Sequence, residues 1–101
     1  MFESKNNRYM TRSIAEEVPI ATQIFLWSLI DDQVNKGTQL DYLQKFELSA
    51  TETGQAIVYS QEEPKWSQGK LLKIPNQFCI TKTIWIIDNE DYQTMLFPED
   101  Y

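Results

Sequence analysis

Pro19-Ile20-Ala21-Thr22-Gln23-Ile24-Phe25-Leu26-Trp27-Ser28-Leu29-Ile30-Asp31-Asp32-Gln33-Val34-Asn35-Lys36 is the longest apolar-rich run of the chain, and its reading decides the fold. Proline in the first turn of a helix gives up no needed donor, Lys36 places a cation in the last turn, and Gly37 follows as a terminator. The run is therefore predicted to be one long helix over 19–36. At about 100° per residue, Leu29, Leu26, Ile30, Val34, Trp27, Ile20 and Ile24 sweep a little over half the circumference, leaving Ser28, Asp31, Asp32, Asn35 and Lys36 on the remainder. One broad face is expected to be buried. Phe25 falls on the polar side by this arithmetic, so a loop or a partner has to cover it.

Outward from the helix, the chain looks like short strands able to pack on it. Residues 1–7 are polar apart from Phe2 and are expected to be loose. Residues 8–14 alternate, with Tyr9, Thr11 and Ser13 against Met10, Arg12 and Ile14, as in a half-buried strand. Glu16 and Glu17 then lie where negative charge favours a helix N-terminus. After Gly37, alternation over 40–48 favours a strand, although Leu40, Leu43 and Phe46 would also share a helical face, which leaves a turn of helix at its start open. Residues 51–55 form a hairpin loop and 56–60 the returning strand. Pro64 ends that strand, 65–69 make a loop carrying Trp66, and 70–74 form an edge strand whose lysines discourage pairing with other chains. Ile84-Trp85-Ile86-Ile87 is apolar on both faces, as in a central strand covered on both sides. A turn at 88–91 leads to a last strand over 92–97, stopped by Pro98. Trp27 and Trp85 are expected in the core and Trp66 in solvent.

The whole is a single domain over 1–101, of a size that buries about 65% of its unfolded surface. An apolar fraction of 42% with 13% aromatic residues is that of a globular chain. The lone Cys79 can form no internal disulfide and lies between Phe78 and Ile80, as a buried structural cysteine does. With no signal-peptide pattern, the expected location is cytoplasmic. The apolar run 24–30 is far short of the about 20 residues a membrane span needs, so no membrane association is expected.

With 15 acidic and 9 basic residues the formal net charge is -6, which argues against general affinity for nucleic-acid phosphates. The distribution is uneven. Residues 64–83 hold Lys65, Lys70, Lys73 and Lys82 with no acid, whereas 84–101 hold Asp88, Glu90, Asp91, Glu99 and Asp100 with no base. Such alternation can be self-complementary across neighbouring strands.

No catalytic motif of known mechanism is present. Histidine is absent, which removes the commonest general base and metal ligand, and one cysteine makes no thiolate cluster. Gly37, Gly54 and Gly69 are too dispersed to cradle a phosphate. The acidic turn 88–91 lacks the glycine and the twelfth-position glutamate of a calcium loop. No enzymatic activity, cofactor or metal is expected.

Arg8-Tyr9-Met10-Thr11-Arg12, Phe25-Leu26-Trp27-Ser28-Leu29-Ile30-Asp31, residues 40–48, and Ile84-Trp85-Ile86-Ile87-Asp88 through Thr94-Met95-Leu96-Phe97-Pro98-Glu99-Asp100-Tyr101 resemble an uncharacterised family of short proteins from Gram-positive bacteria, domain of unknown function 960. The resemblance covers nearly the whole chain, and the ending from Thr94 to Tyr101 is its most specific part. It implies a cytosolic, stand-alone small domain and carries no catalytic residue. Asn89 and Glu90 stand where Asp-Asp-Gly is expected, leaving the hairpin type open.

The fold expected is α+β, the helix 19–36 packed on a mainly antiparallel sheet of about five or six strands. The function expected is a non-enzymatic regulatory or inhibitory interaction module docking a basic protein partner. Its candidate contact residues are Phe25, Trp66, Phe97 and Tyr101 with the acids Asp88, Glu90 and Asp91. The alternative is single-stranded nucleic-acid or RNA binding through Lys65–Lys82.

Overall fold

A computed structural model describes residues 1–3 and 6–101. The elements in chain order are β1 (Asn7–Met10), α1 (Arg12–Glu17), α2 (Ile20–Asn35), β2 (Leu43–Thr51), β3 (Gly54–Gln61), β4 (Trp66–Leu72), β5 (Lys82–Asp88) and β6 (Tyr92–Leu96). Short 3-10 turns at Asn76–Phe78 and Pro98–Asp100 complete them. The strands form one six-stranded sheet in the order β1-β6-β5-β2-β3-β4, antiparallel throughout except that β1 runs parallel to β6. The expected α+β class, main helix and mostly antiparallel sheet are all present.

The strand expected over 8–14 stops at Met10 because Thr11 is a helix cap: its hydroxyl accepts from the Ile14 N–H at 3.4 Å and α1 begins. Arg12 and Glu16 then face each other one turn apart, at 3.7 Å. The main helix is one residue shorter at each end than predicted, with Pro19 as its N-cap. At its C-terminus the Thr38 and Gly37 N–H groups donate to the carbonyls of Gln33 and Val34, a closure that needs Gly37 in the left-handed region at φ +77°. No helical turn precedes β2. Residues 66–69 are strand rather than loop, since Trp66 to Leu72 pair in register with Gln61 to Gln55.

The helix buries a different sector from the one its apolar residues mark. Thr22, Gln23, Leu26, Leu29, Ile30 and Gln33 are inside, whereas Ile20 and Ile24 are 72% and 63% exposed. Moving the buried sector toward Leu29 also explains Phe25, which packs half-buried at the edge of the core. The buried face is decided by what it meets. Phe46, Leu48, Ile57, Tyr59, Ile84, Ile86 and Met95 cover one side of the sheet and are buried with Leu26, Leu29 and Ile30. Phe46 and Tyr59 stack at 4.5 Å between ring centroids, and the Trp66 ring stands edge-on to Tyr59 at 4.9 Å.

The chain start is anchored, against the expectation that residues 1–7 are loose. Phe2 is fully buried among the core residues, and its N–H donates to the buried Asp88 carboxylate. The Gln93 amide donates to the Glu3 carbonyl at 2.9 Å. Ser4 and Lys5 lie outside the described residues.

Glutamines do much of the joining between loops and sheet. The Gln55 amide donates to the carbonyls of Ser49 and Ile80 and accepts from the Ile80 N–H at 2.8 Å. The Gln44 amide donates to Gln61 at 2.9 Å and accepts from the Tyr59 hydroxyl at 2.5 Å, while Gln61 donates to the carbonyls of Gln39 and Pro64. Burial pushes the Tyr59 phenol well above its ordinary pKa, so it remains a donor to Gln44.

Candidate docking face

The helices cover only one side of the sheet. On the other, the register aligns Tyr9, Thr94, Ile87 and Leu43 in one row across four strands, and Leu96, Trp85, Lys45 and Ser60 in the next. The double-sided apolarity of β5 therefore does not mean two covered faces. Ile84 and Ile86 are buried under the helix, whereas Trp85 and Ile87 stand half-buried on the open side.

The C-terminus adds a wall to this face. After Phe97, the Pro98–Asp100 turn brings the Asp100 carboxylate back to accept from the Phe97 N–H at 3.1 Å, the Thr11 hydroxyl at 2.8 Å and the Ser13 hydroxyl at 3.2 Å. That clasp fixes the last residue. Tyr101, 83% exposed, stands edge-on to Trp85 with ring centroids 6.1 Å apart. Together with Ile87, Thr94, Leu96, Tyr92 and Asn89 it lines a groove of about 290 Å³. Tyr9 extends the aromatic surface, its ring edge-on to Tyr92 at 5.6 Å.

The Thr11 hydroxyl, then the Phe97 N–H and the Ser13 hydroxyl, hold the Asp100 carboxyl below its ordinary pKa. A depressed folded-state pKa means that the clasp contributes fully above the unfolded-state value and is lost as pH falls through the folded one. Lowering the pH through the carboxylate range is thus expected to release Tyr101 from Trp85 before the core unfolds. The check is the Tyr101 ring resonances followed by NMR against pH: their midpoint lies below the pH at which an unrestrained aspartate titrates, and Asp100→Asn removes the step.

Of the residues singled out from sequence, Tyr101 alone lines this groove, while Glu90 lines a separate cleft with Met1, Glu3, Asn6 and Asp88. Glu90 and Asp91 are exposed in the β5–β6 turn whose Asn89 lines it. Glu90 is held at φ +84°, in the left-handed region that favours glycine. Its N–H donates to Asp88 at 2.8 Å. The others lie elsewhere. Phe97 is not an exposed anchor: it is 1% exposed, in the core, with the Lys82 ammonium 5.2 Å above its ring. Asp88 is buried on the N-terminal residues, and Phe25 belongs to the helix layer. Trp66 is half-buried against Tyr59, with its indole nitrogen sealed from solvent, and is not the accessible tryptophan that was expected. Trp27 is half-buried too, beneath the Arg8 guanidinium. Sequence reasoning missed Tyr9, Trp85, Ile87 and Tyr92, whose exposed alternation is visible only once one face of the sheet is known to be bare.

The lysines of 65–82 do not form a continuous track. Lys65 lies at a second cleft of about 330 Å³, where Lys45 pairs with Glu62 at 2.5 Å. The Lys45 hydrogen bond and charge hold the Glu62 carboxyl below its ordinary pKa, with Lys65 adding to the effect. Lys82 is three strands away on β5 and pairs with Glu17 at 3.6 Å. Among the described residues, no group of three or more Cys, Asp or Glu side chains is arranged to hold a metal ion, and no helix is long and apolar enough to cross a membrane.

Fold and face together define a two-layer α+β domain, helices on one side and an open, acid-flanked aromatic surface on the other. The chain belongs to the family described as Staphylococcal protein of unknown function (DUF960), whose model matches residues 7–100. It is also similar to a crystal structure of a protein of unknown function from Enterococcus faecalis, at 24% identity and a TM-score of 0.85, covering 100% of this chain and 98% of that one. That likeness is one of fold. None of the curated proteins compared with the chain is similar to it.

Proposed function

We propose that this chain is a non-enzymatic interaction module of the bacterial cytosol, regulatory or inhibitory in role, that docks a basic protein partner on its open sheet face. The observation that carries the reading is an apolar groove walled by Tyr92 and Tyr101, next to a turn that carries the exposed acids Glu90 and Asp91. Among the described residues, Glu90, Asp91 and Glu99 enter no ion pair. Charge of one sign steers a partner of the other, and aromatic rings in a partly desolvated groove supply contact energy. A second reading, single-stranded nucleic acid on the lysine segment, draws support from Phe78, which is exposed on the 3-10 turn between Lys73 and Lys82.

Capture from host cytosol with and without nuclease separates the two readings, because a protein partner survives nuclease treatment. Tyr101→Ala is expected to leave the melting temperature nearly unchanged, as its ring is almost wholly exposed, and to weaken capture by about 2 kcal/mol or more. Capture is also expected to fall as salt rises. A large loss of stability with capture retained in the folded fraction would sink the docking reading.

A further inference from the structure

The two edges of the sheet are defended differently. On β4 the lysines stand along the edge: Lys70 is in the strand, with Lys65 just before it and Lys73 just after. Charges so placed discourage an added strand. The cation of β1 is Arg8, and it is drawn inward. Its Nε donates to Gln93 at 3.0 Å, its two terminal nitrogens bind the Asp31 carboxylate at 2.5 and 3.2 Å, and its guanidinium lies 4.5 Å from the Trp27 ring centre. What β1 shows at its edge is Tyr9, 52% exposed, and Met10, 47% exposed.

The bonding direction of β1 follows from its last contact. The Thr11 N–H donates to the Met95 carbonyl at 3.1 Å. Since bonding groups alternate along a strand, the N–H groups of Arg8 and Met10 point away from β6. The start of β1 also lies against the acidic turn: Asn7 is opposite Tyr92, and the Asn6 amide donates to the Glu90 carbonyl at 3.2 Å. A segment laid along this edge would pass Glu90 and Asp91 at one end and place alternate side chains beside Tyr9, continuous with the groove.

Resting on the docking reading above, we infer that β1 accepts an added strand, an extended segment of the basic partner. It carries Lys or Arg where it passes Glu90 and Asp91 and apolar side chains where it passes Tyr9 and Met10. Main-chain hydrogen bonds to Arg8 and Met10 supply affinity, and alternate side chains supply specificity. A second copy of this chain fits the edge poorly, because it would bring its own acidic turn and a formal net charge of -6 against the same.

The test uses the full chain, isotope-labelled, with a capped octapeptide of alternating Lys and Val at low salt and its Glu–Val counterpart as control. The Lys–Val peptide is expected to slow amide hydrogen exchange at Arg8 and Met10 about tenfold, what one added backbone hydrogen bond gives at the upper end of its usual net strength. Tyr9, already bonded to β6, is expected to change little. Met10→Pro removes the outward donor and abolishes the protection, and Met10→Lys, which keeps the backbone, weakens it. If the peptide shifts Trp85 and Tyr101 but leaves exchange at Arg8 and Met10 unchanged, docking on the open face stands and the added strand is overturned. If it touches neither, both readings fail. If Arg8 and Met10 are already protected without peptide and the chain sediments as a dimer that Met10→Lys dissociates, a second copy holds the edge and the inference is wrong.

Discussion

Replacing Phe2 with alanine is expected to lower the unfolding free energy by about 3 to 5 kcal/mol, the loss typical of a large aromatic side chain removed from a core. Phe2 is fully buried among the core residues, and its backbone N–H is a partner of the buried Asp88 carboxylate. Truncation therefore opens a cavity and loosens the segment that satisfies a buried charge. For a domain of this size the midpoint should fall by roughly 4 °C or more for each kcal/mol. Glu52→Ala, at an exposed loop position, is expected to change stability by less than about 0.5 kcal/mol. Thermal unfolding of the two variants side by side decides the matter, since an unchanged midpoint for Phe2→Ala would mean that the chain start does not belong to the core.

Gln55→Leu keeps the volume of a fully buried side chain and deletes its polar end. The loss strands the Ile80 N–H and takes the donor from the Ile80 carbonyl, whereas the exposed Ser49 keeps its ladder place opposite Ala56. Each buried group left unpaired costs about 1 to 3 kcal/mol, and partial access of water at the half-buried Ile80 moderates the sum to about 2 to 3 kcal/mol. The variant should unfold at lower urea with an unchanged slope, and the Ile80 amide should exchange faster. If stability holds and Ile80 exchange does not change, the glutamine is a passive core filler and not the peg between the hairpin and the segment before β5.

These two positions show why only part of the molecule is legible in its sequence. The alternation over 40–48 and 56–60 and the apolar run at 84–87 are period-two signals, and they yield strands in place and in the right class. A buried glutamine carries no such signal. Gln44, Gln55, Gln61 and Gln93 are inside because each meets partners supplied by distant segments, and Gln23 and Gln33 because the loops flanking α2 bring Val18 and Thr38 to them. For the same reason the helix face is misplaced. Counting apolar residues centres it near Ile30 and Trp27, whereas burial of Thr22 and Gln33 centres it closer to Leu26 and leaves Ile20 and Ile24 in solvent.

The candidate face was legible at Tyr101 and at the acidic turn beside it, because charge segregation and a terminal aromatic can be read directly from the sequence. Trp85 and Ile87 were misassigned, since an apolar residue on the uncovered side of a sheet looks the same in sequence as one on the covered side. Trp66 misled for the opposite reason. Its neighbours Lys65 and Ser67 are polar, yet strand pairing turns its ring onto Tyr59. Phe97 ends a strand beside acids, as an exposed anchor would, yet alternation along β6 turns it to the covered side with Met95.

The measurement that bears most directly on the central claim is the footprint of the captured partner on the isotope-labelled chain, mapped by NMR. The competing surface is also known, the exposed Ile20 and Ile24 on the solvent side of α2. Docking on the open sheet face predicts that the signals of Trp85, Tyr92 and Tyr101 shift or broaden together, that the change weakens as salt rises, and that Ile20 and Ile24 stay where they are. Shifts confined to Ile20, Ile24 and their helix neighbours, with Trp85 and Tyr101 unmoved, would contradict it.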